Sequence, residues 1–214
     1  MRAVFRKTGK CEFTIIMLVL SAFCFFLPAF ARAGSITPVQ GLEMLRRSFS
    51  GVTDFTADIT QDKQISLMKK TMKASGVVRF RKPDTFYMEL YSPYPSRVLL
   101  RDTSLAMVLP KEGVRQKIML PGEESLKRWF GLLDSPVAAV PAGVDVRAET
   151  RGRYVTLKIV PGKKGSVREL RVTFLENEGI SRLVIEERNN DRTVINFRNM
   201  KKNVGLKEKD FYLE

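Results

Sequence analysis

Hydrophobic and polar positions change period at Gly51. Before it, Val39, Leu42, Leu45 and Phe49 recur at helical spacing, with Arg46 and Arg47 on the polar side. Thr37 can cap this helix, Pro38 suits its first position and Gly51 closes it. After Gly51 the period is two. Phe55, Ala57 and Ile59 alternate with Thr56, Asp58 and Thr60, Val78 and Phe80 with Arg79 and Arg81, and Phe86, Met88 and Leu90 with Tyr87 and Glu89. Further strands are predicted at Arg97–Asp102, Leu105–Pro110 and Val114–Leu120. A second helical signal interrupts them: Leu126, Trp129, Phe130 and Leu133 follow Pro121-Gly122-Glu123-Glu124, whose acids suit a first turn. Val137–Val140, between Pro136 and Pro141, reads as a third helical turn or a loop.

The last third alternates most clearly, at Leu157 and Ile159, at Leu170, Val172 and Phe174, at Leu183 and Ile185, and across Arg192–Met200. Short Gly- and Asn-rich turns join these strands, so neighbours run antiparallel. The pattern predicts one mainly β domain of ten to twelve strands with two or three short helices. A helix with its side chains is only about 10–12 Å wide, so these helices cannot tile such a sheet. The sheet must curl around its own apolar face. Its interior is then either filled with side chains or left as a cavity under the helices, and pattern alone leaves both open.

The N-terminus adds a compartment. Arg2, Arg6, Lys7 and Lys10 precede a mostly apolar run from Phe13 to Phe30, followed by Ala31-Arg32-Ala33. That order is a secretory signal peptide, residues 1–33, cleaved after Ala33; an uncleaved anchor is the alternative. The remaining domain, 34–214, would carry 32 basic and 22 acidic residues, net +10 over 181 residues. Both cysteines, Cys11 and Cys24, leave with the signal, so the exported protein has no disulfide. Export turns the basic charge away from nucleic acid and toward anionic membrane surfaces, polyanions or acidic proteins.

Catalytic chemistry finds little to work with. The chain has no histidine, and no phosphate-binding loop or metal-ligand cluster stands out. The adjacent acids Glu186-Glu187 would face opposite ways on a strand, a poor acid–base pair. No catalytic residue, cofactor or metal is expected.

Several short segments, in order, carry a resemblance. Phe49–Gln61, with its Phe-x-Ala-x-Ile-x-Gln core, is followed by Gly76-Val77-Val78-Arg79-Phe80-Arg81-Lys82-Pro83-Asp84-Thr85-Phe86, then by Tyr91-Ser92-Pro93 through Val98-Leu99-Leu100-Arg101-Asp102. Asp210-Phe211-Tyr212-Leu213 resembles a closing strand. Together they resemble the outer-membrane lipoprotein carrier family (LolA-like), over essentially the whole chain after residue 33. The resemblance implies an incompletely closed, curled antiparallel barrel, a half-barrel with a helical lid over an apolar cavity. It also implies a monomeric periplasmic chaperone that takes lipoprotein acyl chains from an inner-membrane ATP-driven release complex to an outer-membrane receptor, where one exists, without covalent chemistry.

Phe86, Met88, Leu90, Leu100, Leu157, Ile159, Leu170, Val172, Phe174, Leu183 and Ile185 are then candidate cavity lining, with plain core as the alternative. Leu45, Phe49, Leu126, Trp129, Phe130 and Leu133 are candidate lid contacts. The family's lid-holding arginine before proline is Lys82 here, which keeps the charge and loses the planar fork. After Asp102 the family's glycine and aromatics are replaced by Thr103-Ser104-Leu105-Ala106-Met107. A related module that binds or senses lipid or envelope protein without shuttling, and a secreted carboxylate hydrolase, are the alternatives.

Overall fold

Period-two alternation becomes strand throughout. The computed structural model describes residues 33–120, 122, 125–127, 131, 134–162 and 165–213. Among them are twelve strands: β1 (Ala33–Ile36), β2 (Asp54–Ile65), β3 (Lys70–Arg81), β4 (Thr85–Leu90), β5 (Ser96–Arg101), β6 (Ser104–Leu109), β7 (Val114–Met119), β8 (Val144–Arg151), β9 (Tyr154–Pro161), β10 (Val167–Leu175), β11 (Gly179–Glu187) and β12 (Arg192–Lys202). They form one antiparallel sheet in the order β1-β8-β9-β10-β11-β12-β2-β3-β4-β5-β6-β7. The sheet is not closed: β1 and β7 are its edges.

The α-helix α1 (Pro38–Ser48) follows β1. The Thr37 hydroxyl accepts from the Gln40 N–H and the Gln40 side chain accepts from the Thr37 N–H, a reciprocal cap. The helix stops at Ser48, and Gly51, with φ +70°, lies in the turn beyond. Gly41 sets where α1 rests. A Cβ there would lie 2.6 Å from Ala148 Cβ and 2.7 Å from Leu157 Cδ2, so the backbone seats directly on β8 and β9.

Two strands were not foreseen: β8, and β1, which starts at Ala33, where the small residues read as a cleavage site. Of the two readings of Val137–Val140, the loop is the one observed. Residues Asp210–Leu213 do not form a closing strand, because Glu208–Phe211 is a 3-10 turn packed on the sheet. Of the second expected helix, Leu126, Lys127 and Gly131 are helical, while Trp129, Phe130 and Leu133 lie outside the described residues.

Candidate functional site

The register lines the expected residues up in rows on the face that carries α1. Phe55, Phe80, Phe86, Leu100, Leu105 and Ile118 stand opposite one another from β2 to β7. The next row is Ala57, Val78, Met88, Val98 and Met107, and a third holds Ile59, Gly76 and Leu90. In the other half, Leu183, Val172 and Leu157 form one row, and Ile185, Leu170 and Ile159 another. Phe174 stays on this face, although β11 takes an irregular step opposite Thr173/Phe174.

Burial divides these rows. Leu157 and Phe174 are 0% exposed and, with Ile159, belong to a cluster that Leu42, Met44 and Leu45 of α1 pack against. Phe49 stacks on Phe55 at 5.8 Å, and Phe55 on Phe80 at 5.4 Å, closing a second cluster that includes Leu90. Phe86, Met88 and Leu100 are half-buried, as are Leu170, Val172, Leu183 and Ile185. Toward the β7 edge the apolar face opens, until Ile118 is 51% exposed. The tightly enclosed residues are therefore those beneath α1 and Phe49, and the open apolar surface lies on β4 to β7.

Polar contacts tie the connection between β7 and β8 to the strand ends beside this surface. Asp102, in the β5–β6 turn with φ +53°, accepts from the Ser125 hydroxyl and, at 3.4 Å, from the Lys127 N–H. Lys82 Nζ, after β3, lies 2.7 Å from Asp134 Oδ1. Glu43 of α1 accepts from the Val137 N–H at 3.1 Å, and Val140 packs on the cluster under α1. The pattern did not single out Asp102, Asp134 or Glu43 as tethers, nor Leu105, Met107 and Ile118 as part of the apolar rows. The rows were recoverable from the tight β5–β6 turn; the tethers follow no period.

Hydrogen bonds from Arg46 and the Val137 N–H hold the Glu43 carboxyl at about 2, against an ordinary 4.5. A lowered folded-state pKa stabilises above the unfolded value, and that contribution is lost as pH falls through the folded one. Acidification from about pH 4.5 toward 2 is therefore expected to weaken this tether, and Glu43→Gln to flatten that part of the acid-unfolding curve. A wild-type-like curve for the variant would show that the tether adds nothing.

On the opposite face, residues 203–211 pack across the ends of β2, β3 and β5. The Asp54 carboxylate accepts from the Val204 and Gly205 N–H groups at 2.7 and 3.2 Å. Glu208 pairs with Arg81, at 2.6 Å, and with Arg101; their hydrogen bonds lower its pKa. Phe211 is buried under the Arg81 guanidinium. Arg81 thus faces away from Lys82's partner. Glu186 is ringed by Arg168, Arg171 and Arg192, an ion-pair network rather than an acid–base pair. Among the described residues no group of three acidic, cysteine or histidine side chains is placed to hold a metal ion. What the site offers is apolar surface, worth roughly 25 cal/mol per Å² removed from water, beside a polar-tethered segment.

Comparison with solved structures finds matches at low identity. A DUF1329 family protein from Desulfovibrio piger is 14% identical over 84% of this chain and 100% of its own, with a TM-score of 0.46. A LolA superfamily protein from Nitrosomonas europaea is 12% identical over 83% and 98%, with a TM-score of 0.46. The Pseudomonas aeruginosa MucA/MucB complex matches at 9% identity over 83% of this chain and 61% of that one, with a TM-score of 0.45. At this level the likenesses carry no argument about the site. No curated protein sequence matches. The sequence profile described as outer membrane lipoprotein carrier protein LolA matches residues 50–214, well over half the chain, and the chain belongs to that family.

Proposed function

We propose that this protein is a periplasmic carrier that holds lipoprotein acyl chains on the apolar face of its sheet and moves them between the two membranes. The observation that carries the reading is the graded face. It is enclosed under α1, half-buried at Phe86, Met88 and Leu100, and open at Ile118. An acyl chain gains about 0.8 kcal/mol per methylene buried, so such a surface needs no specific polar partner to hold one. Leu170, Val172, Leu183 and Ile185, half-buried, extend the same face. Donor and acceptor in this reading are an inner-membrane ATP-driven release complex and an outer-membrane receptor. The basic sequence, the signal-like order of its first 33 residues and the family membership support it. No bond is made or broken.

The test is mass spectrometry of what co-purifies with the protein from periplasm, followed by transfer from membranes that contain the release complex. Triacylated or diacylated polypeptides in the bound fraction support the reading. A protein recovered without lipid, and inert in transfer, refutes it.

Lys82 is the proposed clasp of the cover, through Asp134. A lysine–carboxylate pair on a partly exposed surface is worth at most about 1 kcal/mol, and the fork of an arginine can add a second bond to the same partner. Lys82→Arg is expected to slow cargo transfer several-fold while cargo is retained, and Asp134→Ala to speed release. Unchanged transfer and retention in both variants would remove the clasp.

A further inference from the structure

The β2–β3 hairpin outreaches its neighbour. β3 pairs with β4 only from Gly76 to Arg81, and the Ser75 carbonyl accepts from the Tyr91 N–H, so Lys70–Ala74 has β2 on one side and no strand on the other. At about 3.3 Å per residue this free stretch is roughly 16 Å long. Its tip is the turn 66–69, where Leu67 is 94% and Met68 62% exposed. Lys69, Lys70 and Lys73 are exposed around them. Lys70 Nζ lies 5.5 Å from the centre of the Tyr94 ring, which brings the β4–β5 turn and its exposed Tyr91 and Tyr94 to the same end of the sheet. Lys111 of the β6–β7 turn joins them, donating to the Pro93 carbonyl. The carboxylate of Asp191 is occupied by the Ser66 N–H at 2.8 Å, which holds the turn in place.

A single exposed leucine needs no explanation, but two long apolar side chains on an exposed turn leave water only by entering something else. The surroundings say what. Lysines collar the tip, and Tyr94, with an apolar ring and a polar end, stands against Lys70. That is the composition of an element that enters the boundary of an anionic leaflet, with the apolar tips among acyl chains, the ammonium groups at lipid phosphates and the phenol at headgroup level. A protein partner would need a cleft fitted to a convex, lysine-ringed point; a bilayer needs none.

We infer that the β2–β3 tip is a membrane anchor, with Leu67 and Met68 inserting into an anionic lipid surface and Lys69 and Lys70 pairing with its phosphates. The inference rests on these exposures and charges and does not depend on the carrier reading. The tip and Lys82 lie at opposite ends of β3, so docking there leaves the tethered end of the apolar face away from the bilayer.

Vesicle co-sedimentation tests it, using the same preparation of the whole chain for wild type and variants so that the apolar N-terminal run cancels. Wild type is expected to bind mixed phosphatidylglycerol–phosphatidylcholine vesicles at least about tenfold better than phosphatidylcholine alone, and less well as salt rises. Leu67→Glu/Met68→Glu should weaken binding to mixed vesicles by about tenfold or more. Lys69→Ala/Lys70→Ala should lose about fivefold per lysine. Melting temperatures should not move, since these side chains face water; should the glutamates shift them, Leu67→Ser/Met68→Ser replaces them with the same expectation. Wild-type binding by the tip variants overturns the anchor and leaves the tip to a protein partner. Equal binding to neutral and mixed vesicles, or none to either, overturns it as well.

Discussion

Leu90→Glu is expected to unfold the protein or strip it of cargo, whereas Phe86→Glu should leave it folded with loading impaired. Both residues sit on β4 and face the same way. Leu90 is 6% exposed and packed in the cluster closed by Phe49 and Phe55. A carboxylate there has no partner, and an unpaired buried charge costs about 3–5 kcal/mol, a large part of the roughly 5–15 kcal/mol a domain of this kind has. Phe86 is half-buried near the start of β4, where a glutamate can turn to water. Denaturant melts and cargo recovery separate the two outcomes. If Phe86→Glu unfolds the protein, Phe86 is core; if that variant loads normally, the cargo surface lies elsewhere.

Gly76→Val is expected to uncouple β4 from β3. Even the Cβ of an alanine would lie 1.9 Å from the Glu89 carbonyl oxygen, and the obstacle is backbone rather than the end of a side chain. The strands must part, so Gly76→Ala should cost about 3 kcal/mol or more and Gly76→Val more still, while Ser75→Ala next door stays near neutral. Hydrogen exchange gives a direct readout: amides of Thr85–Leu90 should lose protection first. Preserved protection with an unchanged melting temperature would mean that β4 shifts at little cost.

Alternation read along the chain anticipated β2 to β7 and β9 to β12, though not β8, because a half-buried strand repeats every two residues whatever packs on it. It could not say which inward residues are sealed. Leu157 and Phe86 look alike in their strands, and what separates them is the seat of α1 at Gly41, a contact across more than a hundred residues. The tethers were illegible for a related reason. Lys82 meets Asp134 and Glu43 meets Val137 through connections with no periodicity, so only the fold brings them together. Strand β1 is four residues long and begins among the small residues of the expected cleavage site, too short to alternate visibly. Leu67 and Met68 entered no periodic pattern, and nothing in the sequence marked them as standing in water. Their exposure follows from the length of a hairpin that its neighbour does not match.

The unpaired edges of the sheet have a mechanical consequence. In a closed barrel the girth is set by strand number and stagger, and widening it breaks hydrogen bonds. Here β1 and β7 share none, so the sheet is a spring clip rather than a tube. Its gape can change by spreading a few degrees of twist over the strand junctions between them, with every ladder intact. An apolar body of larger girth then meets elastic compliance distributed through the whole sheet, and the protein needs no separate hinge to admit it.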